Sequence, residues 1–132
     1  MLKQLSVKTT TREEMVDITA KVRQVMHESK IEDGVIHIYC PHTTAGITIN
    51  EGADPAVQRD MLFKLRDIIP HHDDFRHSEG NSDSHIKSTL TGNTQTLFIK
   101  DGALLLGTWQ KIFFCEYDGP RNRSYYVKVM NG

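Results

Sequence analysis

Four stretches carry side chains whose types and spacing suit chemistry. PHTTAGITINE, at 41–51, puts His42, Thr43 and Thr44 into a bend and Asn50 and Glu51 at the end of a following strand. One hairpin would then offer an imidazole, hydroxyls, an amide and a carboxylate. HHDDFRHSEGNSDSH, at 71–85, holds four of the seven histidines among acidic residues. Imidazole and carboxylate are common ligands of zinc and related divalent ions. His77 and His85 are the expected metal pair with His42 as third ligand, and Gly80 lets the loop fold back so that both rings face one pocket. His71, His72, Asp73 and Asp74 read as a solvated loop. GTWQKIFFCEYDG, at 107–119, alternates Gln110, Ile112, Phe114, Glu116 and Asp118 onto one strand face. That face is too polar for core alone and reads as half core, half site, with Trp109 packing on the other side. DGPRNR, at 118–123, sets Arg121 and Arg123 at a turn, where a guanidinium fork suits phosphate.

These groups need elements to hold them. LKQLSVKT alternates as an opening strand. In TREEMVDITAKVRQVMHESK, Met15, Ile18, Val22 and Val25 recur at helical spacing, and Thr11 with Glu14 reads as a capping box. Strands are expected at 35–40 and 45–50. A second helix is capped by Asp54, opened by Pro55, striped by Val57, Met61, Leu65 and Ile68, and stopped by Pro70. A short third helix, HIKSTL, is expected behind a cap at Asp83 or Ser84. TQTLFIK, ALLLG, TWQKIFFCEYDG and RSYYVKVM read as strands joined at turns such as Asp101-Gly102. The expected fold is one α+β domain over 1–132, a mainly antiparallel sheet carrying two long helices and a short third.

Composition narrows the function classes. The chain has 132 residues, 38% hydrophobic and 25% charged, with net charge −1 and pI near 6.6. No basic field marks it for nucleic acid. No apolar run reaches the roughly 18 residues of a membrane span, and no secretory leader is visible. Cys40 and Cys115 stand far apart without a C-x-x-C pattern, so reduced thiols and a cytoplasmic setting are expected.

HTTAGITINE, HSEGNSDSHIKS, LGTWQKIFFCEYDGPR and the DPAVQRDM helix, in this order, resemble the YjbQ-like family, also called the secondary thiamine-phosphate synthase family. The resemblance spans almost the whole chain. It implies a compact α+β subunit, a homotrimer, and a weak or side activity joining hydroxymethylpyrimidine diphosphate to thiazole phosphate with loss of pyrophosphate. The family's characteristic positions fall on His42, Thr43, Asn50, Glu51, His77, Glu79, Gly80, His85, Gly107, Trp109, Gln110 and Glu116. Such a reaction needs a divalent ion, zinc or magnesium, and cationic groups against a leaving pyrophosphate. Glu51, His42 and Glu116 are then the expected catalytic groups. Thr43, Thr44, Asn50, Asn81, Lys87, Gln110, Arg121 and Arg123 are the expected contacts to a small phosphorylated substrate. Two other classes stay open: a metal-dependent hydrolase with His42 or Glu51 as base, and a non-enzymatic binder of small molecules.

Overall fold

The computed structural model describes residues 1–132. The chain runs β1 (Leu2–Lys8), β2 (Glu14–Asp17), α1 (Thr19–Ser29), β3 (Gly34–Tyr39), β4 (Ala45–Glu51), α2 (Pro55–Ile68), α3 (Ser82–Thr91), β5 (Thr94–Lys100), β6 (Ala103–Leu104), β7 (Gln110–Glu116) and β8 (Asn122–Asn131). The α+β class holds, but the strands form two sheets. One has five strands in the order β1-β8-β3-β5-β6 and the other three in the order β2-β7-β4. All pairings are antiparallel.

Between the sheets lies the main core. Val22, Val25 and Met26 of α1 join the inner residues Ile36, Ile38, Leu97, Ile99, Val127 and Val129 of the larger sheet and Ile47, Ile112 and Phe114 of the smaller. Each fully buried aliphatic chain there contributes about 1.5–3 kcal/mol by leaving water. On the far side of the smaller sheet, Phe113, Cys115 and Tyr117 form a second cluster with Met15, Leu62 and Leu65, so α2 covers that face. No helix is long and apolar enough to cross a membrane.

Several expected elements change. The first helix starts at Thr19, not at Thr11, because Glu14–Asp17 pairs with β7, Met15 opposite Cys115 and Val16 opposite Phe114. Met15 and Val16 then serve opposite faces of a sheet, which a helical stripe cannot do. Glu14 still bonds the Thr10 amide, but as a turn ahead of a strand. Asp17 accepts from the Thr19 amide at 2.9 Å and steadies the helix start. In α2, Asp54 accepts from the Ala56 amide at 2.9 Å with Pro55 behind it, as expected. Its stripe is only half-buried, however: Val57, Met61 and Leu65 are partly covered, Ile68 is exposed, and no residue of α2 is fully buried. The third helix begins at Ser82, with Asp83 and Ser84 inside its first turn. His42, Thr43 and Thr44 do not sit in a hairpin, since β3 belongs to the larger sheet and β4 to the smaller. The link between them crosses from one sheet to the other. Trp109 is 62% exposed and packs no core.

Candidate functional site

The crossing from β3 to β4 places His42 against the larger sheet. Ser124 of β8 donates its amide to His42 Nε2 at 3.0 Å. The same Nε2 lies 3.1 Å from the Ser124 carbonyl, so the ring is engaged with the Ser124 backbone in either neutral tautomer. Burial and then the nearby Arg123 charge hold the His42 pKa below its ordinary 6.5.

Opposite His42 stands α3, which begins where the loop over 71–80 returns to the smaller sheet. Ser88 Oγ donates to the Ala45 carbonyl at 2.7 Å and Ser84 Oγ to the Tyr117 carbonyl at 2.6 Å. These bonds dock the helix and turn His85 outward. His85 then lines three adjoining hollows. The first, about 520 Å³, is walled by His42, Thr43, His85, Ser88, Thr89 and Asn93 with no apolar residue. The second, about 310 Å³, also lacks apolar residues and adds Thr44, Glu79, Asn81, Asp118, Arg121 and Arg123. The third, about 590 Å³, runs past His77, Arg76 and Ser82, with Phe75 and Ile86 in its wall. Together they make a trough from His42 past His85 to His77, polar at the His42 end and partly apolar at the His77 end.

Of the expected metal set, the ring centres of His77 and His85 are 5.6 Å apart. Two imidazoles sharing one tetrahedral ion at bonds of about 2.1 Å would place their centres roughly 5–6 Å apart. His77 Nε2 is 3.7 Å from the Glu79 carboxylate. His42 is not assembled with them, and its Nε2 is engaged with the Ser124 backbone. No group of three or more His, Cys, Asp or Glu side chains is arranged to hold a metal ion.

The expected cations are mostly committed elsewhere. Lys87 is fully buried, with its ammonium 2.7 Å from Glu13 and 3.0 Å from Asp83. It locks α3 to the segment before β2 and does not line the trough. Arg123 is buried against Glu116: Nε donates to Oε1 at 2.9 Å, and Nη2 reaches Oε2 and, at 2.8 Å, Thr44 Oγ1. Thr9 donates to Glu116 Oε1 at 2.7 Å and the Asp118 amide to Oε2 at 3.1 Å. Burial pushes the Glu116 pKa up, but the Arg123, Thr9 and Asp118 donors outweigh it and leave it below its ordinary 4.5. Glu116 is thus a saturated buried carboxylate that anchors the wall, not a free acid or base. Arg121 is the more accessible arginine and edges the trough, held at 3.0 Å by Asp118 Oδ2. The same carboxylate accepts from Asn81 Nδ2 at 2.8 Å, while Asn81 Oδ1 is buried without a partner.

Asn50, Glu51 and Gln110 lie at the other end of the smaller sheet. Six residue steps along β4 separate Ala45 from Glu51, about 20 Å at about 3.3 Å per residue. There Glu51 accepts from the Ala53 and Asp54 amides, both at 2.8 Å, and shapes the entry to α2. Asn50 Oδ1 accepts from the Glu51 amide, and Gln110 Oε1 from the Gly107 amide at 2.8 Å. Within one chain these three do not reach the trough. Asp118 stood on the half-site strand face in the sequence reading but without a role, and Thr9 escaped it altogether. Nothing local marked Thr9, 107 residues from its partner Glu116.

The model of the family described as "UPF0047 protein YjbQ-like" matches residues 3–132. The chain belongs to that family. This YjbQ-like chain is 57% identical over 130 residues to UPF0047 protein MJ1081 of Methanocaldococcus jannaschii, covering 98% of itself and 94% of that protein. It is 53% identical to UPF0047 protein YugU of Bacillus subtilis, covering 98% and 99%. A crystal structure of an uncharacterized YjbQ/UPF0047 protein from Clostridium acetobutylicum superposes with a TM-score of 0.96 at 48% identity over 97% of this chain and 99% of that one. A protein of unknown function from Sulfolobus solfataricus matches at 0.96 with 31% identity, covering 100% and 97%. These findings overturn the expectation of thiamine-phosphate synthesis. Relatives this similar carry only the family designation or the description uncharacterized or of unknown function, and none indicates that activity.

Proposed function

We propose that the YjbQ-like chain is an enzyme that takes a small anionic, phosphorylated molecule into the trough between His42 and His85. One observation carries the reading. His42 and Thr43 from the β3–β4 link and His85 from α3 converge on a hollow without a single apolar residue. A wholly polar wall on so small a domain suits a charged, hydrogen-bonding ligand. The Thr43 hydroxyl and the accessible Arg121 supply donors for the anion, with the His42 ring beside them.

His77 and His85 would hold a divalent ion beside it, with water or the ligand in the remaining positions. Imidazole donors favour zinc over magnesium. The 5.6 Å ring spacing supports this pair. In the same reading the protein is a homotrimer in which Asn50, Glu51 and Gln110 of one copy approach the trough of another. The exposed Tyr39, Phe98 and Met130 on the outer face of the five-stranded sheet supply apolar surface for contact between copies. The free, buried state of Cys40 and Cys115 fits a reducing, cytoplasmic setting.

Calorimetric titration with inorganic phosphate, with and without zinc, tests the site. Binding that strengthens with zinc and falls at least tenfold in His85→Ala is expected. Wild-type and His85→Ala proteins that bind phosphate equally, at normal folding, would remove the trough from consideration.

A further inference from the structure

The hollow of about 520 Å³ between His42 and His85 is walled by neutral groups. Besides the two imidazoles it presents the hydroxyls of Thr43, Ser88 and Thr89 and the amide of Asn93, with no apolar side chain, ammonium, guanidinium or carboxylate. Thr89 Oγ1 donates to the His85 carbonyl at 3.0 Å, which leaves its lone pairs as acceptors. Asn93 Oδ1 accepts from the Thr94 hydroxyl at 3.2 Å, which leaves its amide N–H groups as donors. Thr43, exposed on the β3–β4 link, offers both.

The neighbouring hollow that holds Arg121 shares His42, Thr43 and His85 with this one, so the two are continuous. Formal charge is confined to that side: Arg121 and Arg123, with Asp118 bonded to Arg121 and Glu79 exposed at the rim. Helix α3 joins the two. It starts from Asn81 beside the charged hollow and ends at Gly92 beside the neutral one. The last carbonyls of a helix lack intrahelical partners and carry partial negative charge, which disfavours an anion there and suits hydroxyl donors. The apolar Phe75 and Ile86 belong to the third hollow, which shares only His85 with either of the others.

We infer that the neutral hollow receives the organic body of the ligand and that this body is a polyol: the trough takes a phosphorylated sugar or sugar alcohol, its phosphate at Arg121 and its hydroxyls on Thr43, Thr89 and Asn93. The inference rests on the reading of the trough as a phosphate site and adds the class of molecule. A hydroxyl both donates and accepts, so a chain of them pairs with the donors and the acceptors of this wall at once. An aromatic or aliphatic body in the same place would cover those groups and leave them unpaired. The volume lies within the range of small-molecule sites, about 300–1,000 Å³.

Ribose 5-phosphate is the probe, with inorganic phosphate as the comparison that has no body and phenyl phosphate as the comparison with an apolar one. Calorimetric titration of the whole protein with zinc present should give ribose 5-phosphate an affinity about tenfold or more above both. Asn93 and Thr89 line the neutral hollow and neither of the others. Asn93→Ala and Thr89→Val should each weaken ribose 5-phosphate about three- to tenfold, the loss of one hydrogen bond, and leave inorganic phosphate within about twofold. Both positions are exposed, and melting temperatures identify a variant that binds poorly because it folds poorly. Inorganic phosphate bound as tightly as ribose 5-phosphate would overturn the polyol assignment and leave the phosphate site standing. So would phenyl phosphate bound as tightly, or variants that weaken inorganic phosphate as much as ribose 5-phosphate. No binding of any of the three would remove both readings.

Discussion

At the scale of single residues, the buried Glu116–Arg123 pair decides most. Thr9, Thr44 and the Asp118 amide saturate it, so it fixes the relative position of β7, β8 and the β3–β4 link. Removing one partner strands the other, a loss of about 3–5 kcal/mol. Arg123→Ala should therefore unfold at markedly lower denaturant at pH 7, whereas Asn122→Ala, at an exposed neighbour, should change little. The Glu116 pKa is depressed in the fold, so its contribution is present above the unfolded value near 4.5 and is lost as pH falls through the folded value. The gap between wild type and Arg123→Ala should narrow below pH 4.5; a gap independent of pH would contradict the pair's role. His42 behaves in the same sense for a different reason. Burial and Arg123 favour its neutral form, so the unfolded chain takes up the proton first and stability falls as pH drops below 6.5. Ring nitrogen NMR should show His42 titrating below 6.5; titration at or above that value would contradict the effect of burial and the Arg123 charge on the ring.

At the scale of elements, α3 matters most because it carries His85 and the first turn beside Asn81. Its propensity is modest: serine, threonine and aspartate are weak helix formers in an interior. Tertiary bonds hold it instead. Lys87 bridges Glu13 and Asp83, Arg12 forks onto Asp83 through Nη1 and Nη2 at 3.2 and 3.1 Å, and Arg66 of α2 reaches Glu13. Burial raises the Asp83 pKa, but the Arg12 and Lys87 bonds outweigh it and keep the carboxyl below its ordinary 3.8. Lys87→Met matches the length and removes the charge. It should cost about 3–5 kcal/mol, because two carboxylates lose their buried cation. Hydrogen exchange should show that loss concentrated in α3, with the His85 amide exchanging faster than those of β8. A uniform loss across the molecule would mean that the network supports the fold generally and not this helix.

At the scale of the whole molecule, the two polar clusters conflict within one chain. The trough lies by His42 and His85, while Glu51, Asn50 and Gln110 lie about 20 Å along the sheet, at about 3.3 Å per residue. A cyclic trimer with a repeating head-to-tail contact would reconcile them, since each copy can offer one cluster to its neighbour. Light scattering at micromolar concentration should give three times the 15.1 kDa chain mass. Phe98→Asp with Met130→Asp should reduce it to the monomer if the outer sheet face is the contact. Co-refolding His85→Ala with Glu51→Gln should restore part of the phosphate binding lost in either alone. A monomeric wild type, or mixed trimers without recovery, would reject the shared site.

Local chemistry determined much by itself. Alternation in LKQLSVKT, VIHIYC, TQTLFIK and RSYYVKVM was enough for β1, β3, β5 and β8, because a strand's side chains declare their two faces within a few residues. Asp54-Pro55 placed the start of α2 through one amide bond and one missing amide. The clustering of His77 with His85 was also legible, since they are eight residues apart with Gly80 at φ 74 between them. Tertiary structure decided the rest. EMVD is equally compatible with a helix and a strand until β7 offers it an edge. Lys87, Arg123 and Glu116 look like exposed, usable charges until partners 74, 79 and 107 residues distant enclose them. Glu51 and His42 share one segment of sequence, yet an extended strand carries them to opposite ends of a sheet. A charge's availability depends on where its opposite folds, and that is a property of the assembled chain, not of any window along it.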